Sequence, residues 1–218
     1  MPSRRAALRL IAGSALGAAL PTLAIAQPVP GSLRFRIMRD GKQIGTHTVG
    51  FQRTGDSLRV STAIDIEVKI AFISAFRFAH RGEERWEDER LVELKSSTNE
   101  NGERFEVTGI LGSDGLKVTA PNGTTVAPAT AFTTNNLWNP MALRSKDLVD
   151  AHHGGIVGIV GRMDREEEIV VGSKPIVAAR YRIVSPFFAG SIWYDQGKRW
   201  RKSVFELKGE QVEYQAVT

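Results

Sequence analysis

Few places in this sequence gather side chains that could do chemistry. His152-His153 offers two adjacent imidazoles. Neighbours on a strand point to opposite faces, so the pair is poorly placed to share one metal, and a solvated loop pair is the plainer reading. His80, Glu83, Glu84 and Glu87 crowd around Trp86. A His–carboxylate pair is common equipment for general acid–base catalysis. The competing picture is a hairpin with charged side chains toward water and Trp86 inward. Arg77, Arg81, Arg85 and Arg90 favour that picture, because they supply ion-paired surface ladders. No nucleophile elbow of the form Gly-x-Ser-x-Gly accompanies the cluster, so catalysis is the lesser reading. Gly154-Gly155 and the Gly158/Gly161 spacing lack the lysine and the strand-to-helix setting of a phosphate loop, and they read as a bent strand or bulge. The chain has no cysteine, which removes thiol nucleophiles, Cys-ligated zinc, iron–sulfur clusters and disulfides together. No cofactor is expected.

The elements that must position these residues are strands. Leu58, Val60, Thr62, Ile64, Ile66, Val68 and Ile70 alternate with Arg59, Ser61, Ala63, Asp65, Glu67 and Lys69, which is the period of two of a half-buried antiparallel strand. Such a strand would run roughly 40 Å, long enough to demand twist, curvature or a bulge. The same alternation recurs in Leu33-Phe35-Ile37, Phe105-Val107, Ile176 to Ile183, Ile192-Tyr194 and Val212-Tyr214. Asp40-Gly41, Asn101-Gly102, Asp114-Gly115, Asn122-Gly123 and Lys208-Gly209 punctuate the runs with residues that suit tight hairpins. The pattern predicts an all-β protein: a curved antiparallel meander closing as a half-barrel, barrel or β-roll. At most one short helix is expected, capped by Asn139 with Pro140 in its first position and running toward Asp150.

The first 26 residues read as a signal peptide. Arg4, Arg5 and Arg9 precede an apolar run from Leu10 to Leu20, and Ala24-Ile25-Ala26 supplies the cleavage site. Ser3-Arg4-Arg5-Ala6-Ala7-Leu8-Arg9 follows the twin-arginine pattern, with Ala7 where that pattern prefers phenylalanine. The general secretory route is the alternative. Residues 27–218 are then one β-domain in the periplasm, with no transmembrane anchor after cleavage and no acylated cysteine. This part holds 26 basic and 24 acidic residues, so the high overall pI of about 9.7 owes much to the signal. No basic stripe with interleaved aromatics is present, and nucleic acid is not an expected partner.

Phe72, Phe76, Phe78, Trp86, Phe105, Trp138, Trp193 and Tyr194 are the candidate ligand-lining residues. Curved sheets and barrels can enclose an apolar molecule, and the same aromatics could equally form an ordinary packed core.

His80-x2-Glu-Glu-x-Trp86-x4-Leu91-x2-Leu94-x-Ser96-x-Thr98, then Asn101-Gly102, Trp138-Asn139 and Ala179-Arg-Tyr-Arg-Ile183, form one set of motifs. Ile192-Trp193-Tyr194-Asp195-x-Gly197-x2-Trp200 and Phe205-x3-Gly209-x2-Val212-x-Tyr214 complete it. This set resembles an exported proteobacterial family, domain of unknown function 6134. Its ending is similar to the domain of unknown function 3108 group, and related endings occur in periplasmic lipoprotein-carrier-like proteins. The resemblance spans nearly all of the chain after the signal. It implies a curved β-sheet protein of the envelope with no assigned activity, and it brings no catalytic residues.

The sequence thus leads to two expectations. One is a periplasmic, non-enzymatic β-protein that binds or carries an apolar small molecule such as a lipid. The other is an envelope interaction or assembly module with a solid core and a protein partner. An internal cavity lined by the aromatics would favour the first, and a filled interior with a free sheet edge the second.

Overall fold

The computed structural model describes residues 31–70, 73–207 and 209–217. The signal peptide of residues 1–26 and the aromatic Phe72 lie outside the described residues.

Thirteen strands form one sheet, each antiparallel to its neighbours. In chain order the first eight are β1 (Ser32–Arg39), β2 (Lys42–Thr54), β3 (Ser57–Ile70), β4 (Ile73–Glu87), β5 (Arg90–Glu100), β6 (Glu103–Gly112), β7 (Gly115–Ala120) and β8 (Gly123–Ala127). A connecting segment holds three short strands, β9 (Phe132–Thr133), β10 (Asp147–Val149) and β11 (Ile156–Gly158). It also holds two 3-10 turns, η1 (Thr134–Trp138) and η2 (Pro140–Arg144). Five more strands follow: β12 (Val160–Val171), β13 (Lys174–Val184), β14 (Ala189–Asp195), β15 (Trp200–Leu207) and β16 (Glu210–Ala216). β16 pairs with β1, so the order runs from β12 through β16 into β1 and on to β8, leaving β12 and β8 as edges.

The long alternating segment is β3, and its expected irregularity is present. The β3–β4 register shifts between Val68 and Lys69. Asp40-Gly41 and Asn101-Gly102 both take positive φ at their two turn residues, 50° and 72° in the first and 53° and 97° in the second, as tight hairpins require. Asp88 and Glu89 make a similar turn without glycine.

The connecting segment bridges the two free edges. Its Leu143, Leu148, Val149, Ala151, Val157 and Ile159 are buried in one core with Leu33, Val49, Val60, Leu94, Val107 and Ile192 of the sheet. It is therefore a plug inside the curved sheet. Two glycines show how closely it fits. A Cβ on Gly161 of β12 would meet the Leu143 carbonyl oxygen at 2.4 Å, and one on Gly154 would meet Ala120 Cβ at 2.2 Å. The expected helix is corrected here. Asn139 caps it, its side chain accepting from the Met141 amide, but the segment is 3-10 and stops at Arg144, with a second 3-10 turn before it. Among the described residues no helix is long and apolar enough to cross a membrane.

Candidate functional site

The inner face of the sheet can be followed as rows across strands. One row reads Phe35, His47, Ile64, His80, Thr98 and Phe105 from β1 to β6. The row toward one end reads Ile37, Gly45, Ile66, Phe78 and Glu100. In the other direction, two rows away, Phe51, Val60, Glu84 and Leu94 are aligned. β4 thus contributes Phe78, His80, Gly82, Glu84 and Trp86 to one face, because alternate residues share a side.

The plug is latched to that face by polar contacts. Glu84, 3 % exposed, accepts from Thr133 Oγ1 at 2.6 Å, Asn136 Nδ2 at 2.6 Å and Trp86 Nε1 at 3.0 Å. Thr133 and Asn136 also cap η1 reciprocally, the Thr133 amide donating to Asn136 Oδ1 at 2.6 Å. Burial pushes the Glu84 carboxyl above its ordinary range, although all three donors pull the other way. Between these two residues in η1, Asn135 Nδ2 donates to His80 Nε2 at 3.1 Å, and His80 Nδ1 lies 2.9 Å from Thr98 Oγ1. With Nε2 accepting, Nδ1 carries the proton and donates to Thr98. Gly82 makes room for this contact: a Cβ there would come within 2.7 Å of Asn135 Nδ2 and 3.1 Å of His80 Nε2.

The histidines gather near one end. The His152 ring packs edge-on against His80 with centroids 4.4 Å apart, and against Phe78 at 5.4 Å. His47, 5 % exposed, sits among the rings of Phe35, Trp200 and Tyr214 at 6.0, 5.4 and 5.8 Å. Burial holds all three imidazoles neutral, with His47 brought down to about 3 and His80 to about 2. His153 behaves oppositely. It bridges Asp150 Oδ2 at 3.3 Å and Glu100 Oε2 at 3.2 Å, and these carboxylates raise its pKa. The loop is held further by Ser96 Oγ, which donates to the Ala151 carbonyl at 2.6 Å.

Below the histidines the wall is apolar. Ile37, Ile64 and Val212 are buried together, with Ile44, Ile66, Phe78, Leu207 and Tyr214 partly buried around them. At the end of the sheet that holds this apolar bowl, a solvent-open cleft of about 1200 Å³ is lined mainly from the outer face, by Thr46, Asp65, Glu67, Arg77, Ala79 and Asn99 among others. Gly45, Ile66 and Phe78 of the inner-face row, with Ile44, border it too.

The aromatics named from sequence separate into three groups. Phe76 and Phe78 share the inner face of β4 at the bowl end, and Phe105 lies on the His47 row with its ring 4.8 Å from His153. Trp86, Trp138 and Tyr194 are packed at the plug instead. Trp86 contacts Phe132 and Trp138 at 5.5 and 6.5 Å, Trp138 contacts Phe51 at 5.0 Å, and Tyr194 donates to the Leu137 carbonyl at 2.5 Å. Trp193 is a correction. It sits on the outer face, between Arg180 at 5.3 Å and Lys202 at 5.5 Å, donating to Glu167 Oε1 at 2.7 Å. Since Tyr194 faces in, the preceding residue on the strand faces out.

Two other readings are corrected. His80 and Glu84 do not face water with Glu83 and Glu87; they are buried beside Trp86. His152 and His153 are not a solvated pair, because one packs on His80 and the other joins two carboxylates. His47, Glu84 as a latch and the Ile44–Ile66 wall were missed. For the β4 residues the signal was available, since Phe76, Phe78, His80, Glu84 and Trp86 keep one parity.

Among the described residues no group of three or more His, Asp or Glu is placed to hold a metal ion. His80 shows why: both its ring nitrogens are already engaged.

A curved antiparallel sheet wrapped around a plug, its two edges unpaired, defines a β-barrel-like protein. Residues 35–217 match the family described as Domain of unknown function (DUF6134), and the chain belongs to that family. The crystal structure of a beta-barrel-like protein of domain of unknown function DUF1849 from Brucella abortus is similar in fold. Its TM-score is 0.62 at 9 % identity, over 86 % of this chain and 95 % of that one. A comparison with curated proteins returned no match.

Proposed function

We propose that this protein is an exported, non-enzymatic binding protein of the cell envelope that takes an apolar small molecule of lipid type in its open bowl. The observation that carries this reading is the asymmetry of the interior. One part is filled by the plug, and at the other end Ile44, Ile66 and Phe78 are only partly buried and border an open cleft that polar residues of the outer face line as well. Concave, mainly apolar surfaces with a few convergent polar groups are the usual form of a small-molecule site. The polar residues support a binding role over catalysis. His80 is spent on Thr98 and Asn135, and Glu84 is held by three donors, so neither has a free atom for proton transfer. The arginine pair at Arg4 and Arg5 and the Ala24-Ile25-Ala26 site support export.

The test is titration with the neutral fluorophore N-phenyl-1-naphthylamine. Wild type and Phe78→Leu bind it, and Phe78→Asp loses it while keeping its circular dichroism spectrum. Failure of folded wild type to enhance the fluorescence overturns the reading.

A second reading, docking of a partner protein, has one observation in its favour. β12 is a free edge, and Val160, Met163 and Val170 on it are exposed alongside Val177, Val184 and Phe187.

A further inference from the structure

The turn joining β13 to β14 holds a phenylalanine in water. Phe187 is 71 % exposed, and the backbone around it is fixed. Ser185 Oγ accepts from the Phe187 and Phe188 amides at 3.1 and 3.0 Å, and the Ser185 amide donates to the Phe188 carbonyl at 2.8 Å. Phe188 turns inward, its ring 5.5 Å from that of Phe205, so its neighbour is presented outward on a braced turn. Val184, which precedes this turn, stands opposite Val160 of β12, and both are more than half exposed. Two residues further along the same face, Arg162 stands opposite Arg182. Arg182 shares Asp164, whereas Arg162 has no ion pair among the described residues. Arg144 and Lys146, exposed and likewise without an ion pair, approach the start of β12: the Leu143 carbonyl abuts Gly161 and the Lys146 carbonyl accepts from the Ile159 amide at 2.7 Å. The nearby acids are Asp147, Asp164 and Glu206, which leaves cations in excess. The Val184 row continues through Ala189, Glu206 and Gln211 toward the Asp40-Gly41 turn, so the tip lies at the same end of the sheet as the cleft.

We propose that this tip docks on an anionic bilayer surface, Phe187, Val184 and Val160 entering the boundary between headgroups and acyl chains while Arg162 and Arg182 meet the lipid phosphates. This goes beyond the ligand reading and does not depend on it. The order of residues along the strands matches the layers of a bilayer surface. Two residues of strand separate the valine pair from the arginine pair by about 7 Å, and interfacial segments sink their apolar side about 5 to 10 Å. The braced turn loses little freedom on insertion, since its backbone is already ordered. A second copy of the chain fits less well. Three exposed side chains at a tip offer far less than the roughly 800 Å² per partner that a stable interface buries, and the cations around them would repel their own copies.

The experiment is flotation of the purified protein with vesicles of phosphatidylcholine alone and of phosphatidylcholine with an equal part of phosphatidylglycerol. Each uncompensated cation near an anionic surface corresponds to about a fivefold gain, so the mixed vesicles are expected to bind at least about fivefold more tightly. Phe187→Ser removes a buried aromatic from the bound state and should weaken binding at least about tenfold. Arg162→Glu should erase the preference for phosphatidylglycerol. Val126→Ser changes an equally exposed valine on the other edge strand, β8, and should bind as wild type does. All of these side chains are exposed, so the variants keep the wild-type circular dichroism spectrum. Folded wild type that stays out of the mixed vesicles overturns the inference, as does unchanged binding by Phe187→Ser or an unchanged lipid preference in Arg162→Glu. A dimer in sedimentation, or a cross-linked protein partner, that Phe187→Ser abolishes while vesicles go unbound would assign the tip to that occupant and overturn the bilayer. Vesicle binding and dye binding are separate readouts: loss of the first with the second intact removes this inference alone, and the reverse removes the ligand reading alone.

Discussion

Asn136 of the plug and Glu84 of β4 meet at 2.6 Å inside the curved sheet, a hydrogen bond between residues 52 apart in sequence. The same carboxylate takes the Thr133 hydroxyl, so one buried residue of the sheet holds both ends of the η1 capping box. Glu84→Ala would leave the Thr133, Asn136 and Trp86 donors without an acceptor. At about 1 to 3 kcal/mol for each stranded buried group, the loss should be at least about 3 kcal/mol. Urea denaturation checks this, and Glu84→Gln, which keeps one acceptor oxygen, should cost less.

The latch also has a pH signature. Burial raises the Glu84 pKa above its ordinary 4.5. The folded state therefore holds this proton more tightly than the unfolded chain does. The associated stability is complete below about 4.5 and is lost as pH rises through the folded value. Subtracting the pH–stability profile of Glu84→Gln from that of wild type should reveal this slope.

The interior histidines act in the opposite direction. His47 and His80 are lowered from 6.5 to about 3 and about 2. Their contribution is complete above pH 6.5 and is lost as pH falls toward those values, by up to about 1.4 kcal/mol per pH unit for each ring. His153 reverses the sign again, because its raised pKa favours the folded loop at low pH and loses that support as pH rises through the folded value. Hydrogen exchange of the amides of residues 150–155 should therefore quicken as pH rises beyond what the intrinsic rate explains. His153→Gln should abolish that excess.

Gly82→Ala tests the fit of plug to sheet. The new methyl would stand 2.7 Å from Asn135 Nδ2, so the Asn135–His80 hydrogen bond must break or the plug must shift. A cost of about 1 to 3 kcal/mol is expected for overpacking at a buried site. A thermal midpoint equal to that of wild type would show that the plug is looser than described.

Much of the fold was legible because it is local. The period of two in Leu58 to Ile70 gave β3, and the Asp-Gly and Asn-Gly pairs gave the hairpins that join the meander. The plug was not legible. Residues 128–159 carry no strong period, and what fixes them is distant: Glu84 for Thr133 and Asn136, Ser96 for Ala151, and Gly161 yielding space to Leu143. The candidate site was partly legible. Phe76 and Phe78 lie at the bowl and Phe105 on the adjoining histidine row, whereas Trp86, Trp138 and Tyr194 serve the plug and Trp193 faces out. Residue type announced the aromatics, but only the strand parity distinguished Trp193 from Tyr194. His47 stood in a strand flanked by threonines, with nothing nearby in sequence to mark it as one of a converging set.

The outward position of Trp193 separates packing from binding. Trp193→Phe removes the hydrogen bond to Glu167 and weakens the contacts with Arg180 and Lys202, and should cost about 1 to 2 kcal/mol. Its dye affinity should match that of wild type. A loss of dye binding in folded Trp193→Phe would move the site to the outer face.

The most direct test of apolar-ligand binding is native mass spectrometry of the protein purified gently from the cells that produce it. An adduct of lipid-like mass at near-stoichiometric occupancy is expected, retained by Trp193→Phe and absent from Phe78→Asp. A bare polypeptide mass for folded wild type, with no dye site in the same preparation, would contradict it.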